Sequence, residues 1–576
     1  MNKFSKITLF FLIVFLASTR LNYFKWESPN NTQVLTWDAF GYYVCMPGFF
    51  IYHDIKKFEW IPQIIEKYQP TGTLYQLKEL PNGNKVMKYL IGVSILYSPF
   101  FLMGHFIAGA LSYPQDGFST PYQAAVCLAA LFYAFLGLFV LRKILLRFFS
   151  DLTTTVTLLL IALATNYIQY VSVDSAMAHG FIFSLYSILL LVTISWHDKP
   201  SFFKAFTIGL FIGLGAISRP TEIIMLFIPL LYSTQDKTAM KAKWKLVAVH
   251  RFHIIALVAG ALLAAFPQLL YWKIITGYWI HEVGSKWVFF HPNWQVLFGW
   301  EKGWFIYTPV AILMVLGFFN FRKNPFYYSV LVFFLVNIWI VIAWFDWRYG
   351  ASYSARAFVQ SYAVMALPMA AIINKRIKGK FRYLLVGLFA FLIYLNLFQI
   401  WQYNKGILHY NEMNRLYYSA IFLNCNPTPL QMSLLDTKEY PKDERKLNMV
   451  REIRLDSQYV INASKISNIT LYKSELNKLL SLNSNTENWF RIQISVLSAW
   501  GAFDTFLTTR VVSENQSKET RCRMQNGIYE RMKWNSIEYY FMVPQGLDSG
   551  IITIVADTKA MEDIYIKDLS IKILVK

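Results

Sequence analysis

Between residues 7 and 402 the chain returns repeatedly to apolar runs close to the roughly 20 residues an α-helix needs to cross a bilayer. The runs fall near 7–24, 121–146, 152–171, 177–195, 203–218, 221–233, 252–275, 303–320, 326–345, 357–374 and 383–402, about eleven spans. Alternate connections carry the basic residues: "RKILLRFF" (142–149), "HDKPSFFK" (197–204), Lys237 to Arg251, "FRKN" (321–324) and "NKRIKGKFR" (374–382). Lys3 and Lys6 precede the first run. The positive-inside rule puts all of these on the cytoplasmic side, with the C-terminus on the other. The first run also reads as a cleaved signal peptide, with "LAST" at 16–19. The net charge of +21 is thereby accounted for by short membrane-flanking loops, which argues against a nucleic-acid partner. A chain 55% hydrophobic and only 15% charged is a polytopic α-helical membrane protein, not a soluble one.

One apolar run, 89–112, is broken by Pro99, His105 and several glycines. Counting it as a span inverts the charge pattern of everything downstream, so it reads as a juxtamembrane or re-entrant segment. The first external loop then covers 25–120 within a membrane domain of 1–402.

This topology gathers the polar residues on the external face. Asp38 sits in "TWDAFGYY", the sole acid between Thr36 and His53, in a run that reads as a short interfacial helix. Asp174 and His179 stand at the start of a span in "VDSAMAHGF" (173–181). Arg219 opens the "RPT" break at 219–221, where Pro220 can start a new helix. The loop "WFDWRYGASYSARAF" (344–358) offers Asp346, Arg348 and Arg356. The two arginines suit forked hydrogen bonding to a phosphate, or internal pairing with Asp346. Ionisable groups at this depth are costly and tend to be functional or paired. No HExxH, DxD or CxxC occurs, so no metal ligands are assigned, and a divalent-cation requirement stays open. Of the four cysteines, Cys425 and Cys522 could pair in an oxidising compartment.

After residue 402 no further span occurs. Residues 403–448 are polar and mixed and read as a linker with a helical turn or two. From 449 to 576 the pattern alternates with period two. "RIQISV" (491–496), "IEYYFMV" (537–543), "IITIVA" (551–556) and "IYIKDLSIKILV" (564–575) read as strands of an external, jelly-roll-like β-sandwich. In the last of these the phase slips by one residue, which a bulge near Asp568 reconciles.

Residues 1–400 resemble the GT-C superfamily of integral-membrane glycosyltransferases, including the protein O-mannosyltransferases and the lipid A aminoarabinose transferases. The likeness is carried by Asp38 in the first external loop, Lys88 opening "KYLIGVSILYSPFF", the "RPT" break, and the late loop 344–358. Ala39 stands where mannosyltransferases often have a second acid, and Tyr89 where a proline usually follows the lysine. The resemblance implies inverting-type sugar transfer from a polyprenyl-phosphate donor to an acceptor glycan, lipid or protein. Asp38 would act as base, and Lys88, with Arg348 or Arg356, would hold the donor phosphate. Asp174, His179, Arg219 and Asp346 are further site candidates. Resemblance and charge pattern together place the chain in a bacterial inner membrane, in contact with its lipids, with a cytoplasmic N-terminus and a periplasmic C-terminal domain. Two other readings are a transporter or flippase of a lipid-linked saccharide, and a non-catalytic assembly factor whose sandwich binds glycan.

Overall fold

The structure is a computed structural model that describes residues 2–22, 34–68, 70–71, 74–282, 284–377, 382–437, 439–480, 487–514, 516–544 and 550–576. Two compact units divide the chain, Met1–Leu397 and Phe398–Lys576.

Seven helices among the described residues are long and apolar enough to cross a membrane: Lys3–Asn22, Gly92–Ala110, Thr120–Phe148, Ala178–Asp198, His253–Thr276, Arg356–Arg376 and Arg382–Asn404. Shorter apolar helices cover Asp151–Leu163, Phe202–Ser218, Pro220–Leu231, Ala311–Phe321 and Tyr327–Ile342. Two expected spans are therefore interrupted. The 152–171 run ends as an α-helix at Leu163 and resumes as a π-helical turn, Gln169–Val173. The 303–320 run breaks after Trp304–Tyr307, at Pro309, which has no N–H to continue the ladder.

The basic loops come together physically. Arg147 pairs with Asp198 at 2.6 Å, and Thr153 donates to Asn374 at 3.0 Å. The rings of His197 and Tyr232 lie 4.6 Å apart, and Tyr232 in turn packs on Phe326 at 4.5 Å. Asp151 receives the backbone N–H of Phe4 at 2.9 Å, which ties the chain's beginning to this same end. At the other end of the Lys3–Asn22 helix, the Arg20 guanidinium donates to the carbonyl of Val173 at 2.6 Å. One helix therefore runs the full depth of the bundle, from the basic end to the end that carries Asp38.

Gly92–Ala110 is one continuous helix despite Pro99. By length and composition it could span. Its packing, however, keeps to the Asp38 end. A Cβ on Gly92 would lie 2.5 Å from the nitrogen of Ser218, at the end of its helix, and one on Gly104 would lie 3.2 Å from the carbonyl of Pro121, at the beginning of its own. The expectation of a juxtamembrane segment comes from the charge pattern of the loops that follow, and the helix is also long and apolar enough to cross. Just before it, strands β1 (Leu77–Glu79) and β2 (Lys85–Met87) form an antiparallel hairpin.

The second unit is a two-sheet β-sandwich. Its strands are β3 (Asn448–Leu455), β4 (Tyr459–Ile461), β5 (Asn468–Glu475), β6 (Asn488–Leu497), β7 (Thr505–Val512), β8 (Ser517–Arg523), β9 (Trp534–Met542), β10 (Ile551–Thr558) and β11 (Ile564–Val575). One sheet runs β5-β10-β7-β8. The other runs β3-β11-β6-β9, with β4 also on β11. Alternate residues such as Phe490, Ile492, Leu507, Ile554 and Ile571 fill the space between the sheets. The four quoted stretches form β6, β9, β10 and β11. In β11 the pairing with β6 slips between Lys567 and Ser570, around Asp568 at φ 55°, so the bulge falls where the phase changed. Residues 545–549, in the turn "PQGLDSG" (544–550) that joins two of the quoted strands, and 378–381 of the 374–382 cluster lie outside the described residues.

Within this unit residues 403–448 pack against the sheets and do not behave as a bare connector. Tyr417 is fully buried, and Asp436 bonds the Arg523 guanidinium at 2.8 Å. Cys425 and Cys522 are both free, with Cys425 exposed and Cys522 in the sandwich core, which corrects the suggested pairing.

The tightest helix crossing joins Phe202–Ser218 to His253–Thr276. A Cβ on Gly209 would sit 1.8 Å from the Leu257 carbonyl, and one on Gly260 would sit 2.1 Å from that of Phe206. Small residues let the two backbones touch, the usual means of helix association in lipid. Gly260→Val should lower stability by at least about 1–3 kcal/mol, read as a drop in thermal midpoint of the detergent-solubilised protein.

Candidate active site

Asp38 begins the short helix Asp38–Tyr43. The residue before it, Trp37, takes φ 51°, a left-handed conformation that is strained for a large side chain. Three contacts hold it there. Its N–H donates to Pro70 at 3.0 Å, its carbonyl accepts from Gln76 at 3.0 Å, and its ring stacks on Tyr75 at 6.4 Å. Strain of this kind collects at functional positions.

Three donors converge on the Asp38 carboxylate. Tyr75 and Tyr89 each donate a phenolic proton to Oδ1 at 2.6 Å, and Arg356 donates from Nη2 to Oδ2 at 2.7 Å. Burial pushes the Asp38 carboxyl up, but the Arg356 charge and these hydrogen bonds push it down further, leaving it at about 2. Gly41 makes the Tyr89 bond possible: a Cβ there would stand 2.2 Å from the Tyr89 ring. Tyr89, the departure from the family pattern, is thus a direct partner of the acid.

Arg356 opens a 3-10 turn, Arg356–Ser361, at the end of a heavily constrained loop. Tyr349, Gly350 and Ser354 all have positive φ. The Lys302 ammonium fills the loop's interior, donating to the carbonyls of Gly350 at 2.9 Å and Ser352 at 2.7 Å and to the Ser352 hydroxyl at 3.0 Å. The Tyr170 hydroxyl donates to the Tyr353 carbonyl and accepts its N–H, both at 2.9 Å.

The other candidates separate clearly. Arg348 does not reach Asp38; it is half exposed and pairs with Glu301 at 2.8 Å. Asp346 is exposed, and neither arginine of its loop takes it as partner, which corrects the internal pairing weighed from sequence. Asp174 is exposed and accepts from Gln169 at 2.9 Å, away from Asp38. Lys88 is exposed, with its ammonium 5.6 Å from the Tyr75 ring centre. It lines a cleft of about 330 Å³ together with Tyr75, Lys78, His281 and Glu282. Tyr75 is therefore a shared wall, one side on the cleft and its hydroxyl on Asp38. The Nε2 of His281 is buried with no partner among the described residues.

His179 and Arg219 belong to a buried polar network. His179 Nδ1 lies 2.8 Å from Gln360 Oε1, and Gln360 donates from Nε2 to Glu222 at 2.9 Å. Tyr186 donates to the other oxygen of Glu222. Arg219 Nη1 stands 3.4 Å from His179 Nδ1. Gln360 lies on the same 3-10 turn as Arg356, so the network continues into the Asp38 site. Sequence reasoning missed Tyr75, Tyr89, Lys302, Glu222 and Gln360. The only local signals are Glu222 directly after "RPT" and a tyrosine in place of the family's proline at 89. Among the described residues no three His, Cys, Asp or Glu side chains gather as metal ligands.

The chain is thus a polytopic helical membrane protein with a C-terminal β-sandwich, and its polar site lies at one end of the bundle. No family model and no curated protein matches it. Among solved structures it is similar to ArnT from Cupriavidus metallidurans in the apo state, at 14% identity over 56% of this chain and 57% of that one, with TM-score 0.36. It is similar also to the same protein bound to undecaprenyl phosphate, at 13% identity over 56% and 58%, TM-score 0.36. A third is the Archaeoglobus fulgidus oligosaccharyltransferase in the apo form, at 13% identity over 73% and 58%, TM-score 0.40. The chain spans less than three-fifths of the length of each, and likenesses this loose add nothing to the side-chain geometry.

Asp38 and Arg356 are both part-buried, with side chains 20% and 15% exposed, and removing one strands the other. Arg356→Met should destabilise the protein by about 1–3 kcal/mol, with part of that recovered when Asp38→Asn is added, as measured by thermal unfolding in detergent. The folded carboxyl lies below its ordinary value of 3.8. The pair's contribution is therefore full above that value and is lost as pH falls toward 2. The Asp38→Asn protein should lack this acid-dependent loss.

Proposed function

We propose that the protein is a glycosyltransferase of the GT-C type that moves a sugar from a polyprenyl-phosphate donor to an acceptor at the external surface of a membrane. The observation that carries the reading is one carboxylate, mounted at the non-basic end of the bundle, beside a cleft whose rim supplies cations. An acceptor hydroxyl or amine attacks the anomeric carbon, and the bond from that carbon to the phosphate oxygen breaks. The bonding electrons leave with the phosphate, and the acceptor's proton goes to Asp38. Attack from the face opposite the leaving phosphate inverts the anomeric centre.

The Arg356–Asp38 pair bears on this chemistry. A carboxylate at about 2 is a poor base at neutral pH, because efficiency is greatest when the base's pKa approaches the working pH. A donor phosphate offers Arg356 a second anion. As the guanidinium turns toward it, Asp38 loses its strongest stabilising partner and gains basicity. Arg356 then meets the charge that develops on the leaving phosphate. Lys88, across the Tyr75 ring, adds a mobile positive charge at the cleft. Arg348, paired with Glu301, takes no part in this scheme.

The test is transfer of sugar from a purified polyprenyl-phosphate sugar in proteoliposomes. Asp38→Asn should lower turnover by about 10²–10⁴-fold while leaving donor binding within a few-fold of wild type. Undiminished turnover in Asp38→Asn would remove Asp38 as the base.

A further inference from the structure

The helix Lys237–Val249 connects Pro220–Leu231 to His253–Thr276 at the basic end of the bundle. Just before it, Tyr232 packs on Phe326, and the N–H of Ser233 donates to the Pro325 carbonyl at 2.8 Å. Just after it, His253 accepts the Trp196 indole proton at 3.1 Å. At 13 residues with four lysines, the helix is too short and too polar to cross a bilayer. One side chain fixes its rotation. Lys243 is buried, and its ammonium donates to the carbonyls of Pro229, at 2.9 Å, and Leu230. These carbonyls belong to the end of the Phe227–Leu231 helix, where a cation is favoured. Ala239, Leu246, Val247 and His250 share the face of Lys243 and are half-buried.

The opposite face is cationic. Lys241 and Lys245 stand two positions either side of Lys243, which a helix of about 3.6 residues per turn puts on the far side. Both are exposed, as are Lys237 and Arg251, and none of the four forms an ion pair with a described carboxylate. The acids of this end are engaged elsewhere. Asp198 pairs with Arg147 at 2.6 Å, and Asp151 accepts the Phe4 N–H at 2.9 Å. Asp236 caps the helix itself, accepting the Ala239 N–H at 2.8 Å. It is the only acid in the sequence between Glu222 and Glu282. Large apolar side chains accompany the cations. Met240 and Trp244 are exposed one turn apart on a flank of the helix, and Val249 and Phe252 are exposed at its end. Water suits the lysines but not these four, and hydrocarbon suits the four but not the lysines. The headgroup layer takes both, with the indole at the boundary and the ammoniums among the phosphates.

We propose that Lys237–Val249 lies in the headgroup layer of the leaflet at the basic end of the bundle, and that its outer face binds anionic phospholipid headgroups. The positive-inside pattern requires only that basic residues stay on one side, and it sets no lipid preference. The preference comes from a rotationally fixed face of cations without acids, beside apolar side chains that hold it at headgroup depth. Each basic residue near an anionic surface is worth roughly fivefold in binding. The assignment concerns the end of the bundle away from Asp38 and holds whatever reaction that site performs.

The test uses the full-length chain with a fluorophore on Ala248→Cys, an exposed position of the outer face, and with the exposed Cys425 removed by Cys425→Ser. The protein is reconstituted in vesicles of equal parts phosphatidylcholine and phosphatidylglycerol, with brominated chains on one lipid or on the other. Bromine quenches at contact, so the two preparations read which lipid sits against the helix. Quenching should favour brominated phosphatidylglycerol at least about fivefold, and raised salt should weaken that preference. Lys241→Gln with Lys245→Gln should reduce the preference, and adding Lys237→Gln and Arg251→Gln should bring the two lipids to parity. The thermal midpoint reports folding; if the fourfold variant does not fold, the Lys241→Gln, Lys245→Gln pair decides. Equal quenching by the two lipids in the unsubstituted helix, or a preference unchanged by these substitutions, would overturn the assignment. Quenching by neither lipid would place the face in water and overturn it as well. Binding of polyglutamate to that same face, lost in the same variants, would then assign it to an acidic protein.

Discussion

The ion pair between Asp38 and Arg356 joins residues 318 positions apart in the chain. It ties the first loop to the late loop at the end of the helix bundle. Two charges taken from water cost several kcal/mol each, and mutual attraction repays this only when the remaining hydrogen-bonding capacity is also met. Here it is met by two phenols on one oxygen and one guanidinium on the other. The rest of the site follows from keeping these groups in place. Trp37 is strained so that Asp38 points inward, Gly41 is bare so that Tyr89 can reach it, and Lys302 fills the loop that delivers Arg356.

The membrane domain was largely legible because its signals are long. A run of apolar residues is read whole, and basic clusters on alternate connections sort the ends before any helix is seen. The contacts of Arg147 with Asp198 and of Tyr232 with Phe326 bring those clusters to one end of the bundle. The sandwich was legible where strands alternate strictly, as in β6 and β10. It was not in β8, "SKETRCR", whose inward residues are Thr520 and Cys522 rather than large hydrophobics. The bulge at Asp568 was readable because a period of two cannot slip silently: one extra residue turns every later side chain to the opposite face.

The site was legible only in its charges. Asp38, Lys88, Arg219 and Arg356 stand out against apolar surroundings, but nothing local distinguishes Arg348 from Arg356. Both are arginines of one loop, eight positions apart, and tertiary structure alone gives the first to Glu301 and the second to Asp38. Tyr75, Tyr89 and Gln360 carry no formal charge and merge into their runs. Their importance lies in where the fold sends one polar atom, and no periodicity records that. Where the chain departs from the resemblance, at Tyr89, the structure shows the departure bonded to the acid itself.

The placement of strain and of buried charge follows from the same requirement. Three of the thirteen described non-glycine residues with positive φ, Trp37, Tyr349 and Ser354, lie in the two loops that carry the Asp38–Arg356 pair, and Trp37 is held there by three separate contacts. A site built this way spends little on reorganisation when an anion arrives. Exchanging one anion for another at Arg356 leaves the number of desolvated cations unchanged, so the cost of burying the guanidinium has already been met in folding. On the proposed reaction, the arriving phosphate would therefore draw Arg356 to itself and, through that one contact, loosen the pair that keeps Asp38 from acting as a base.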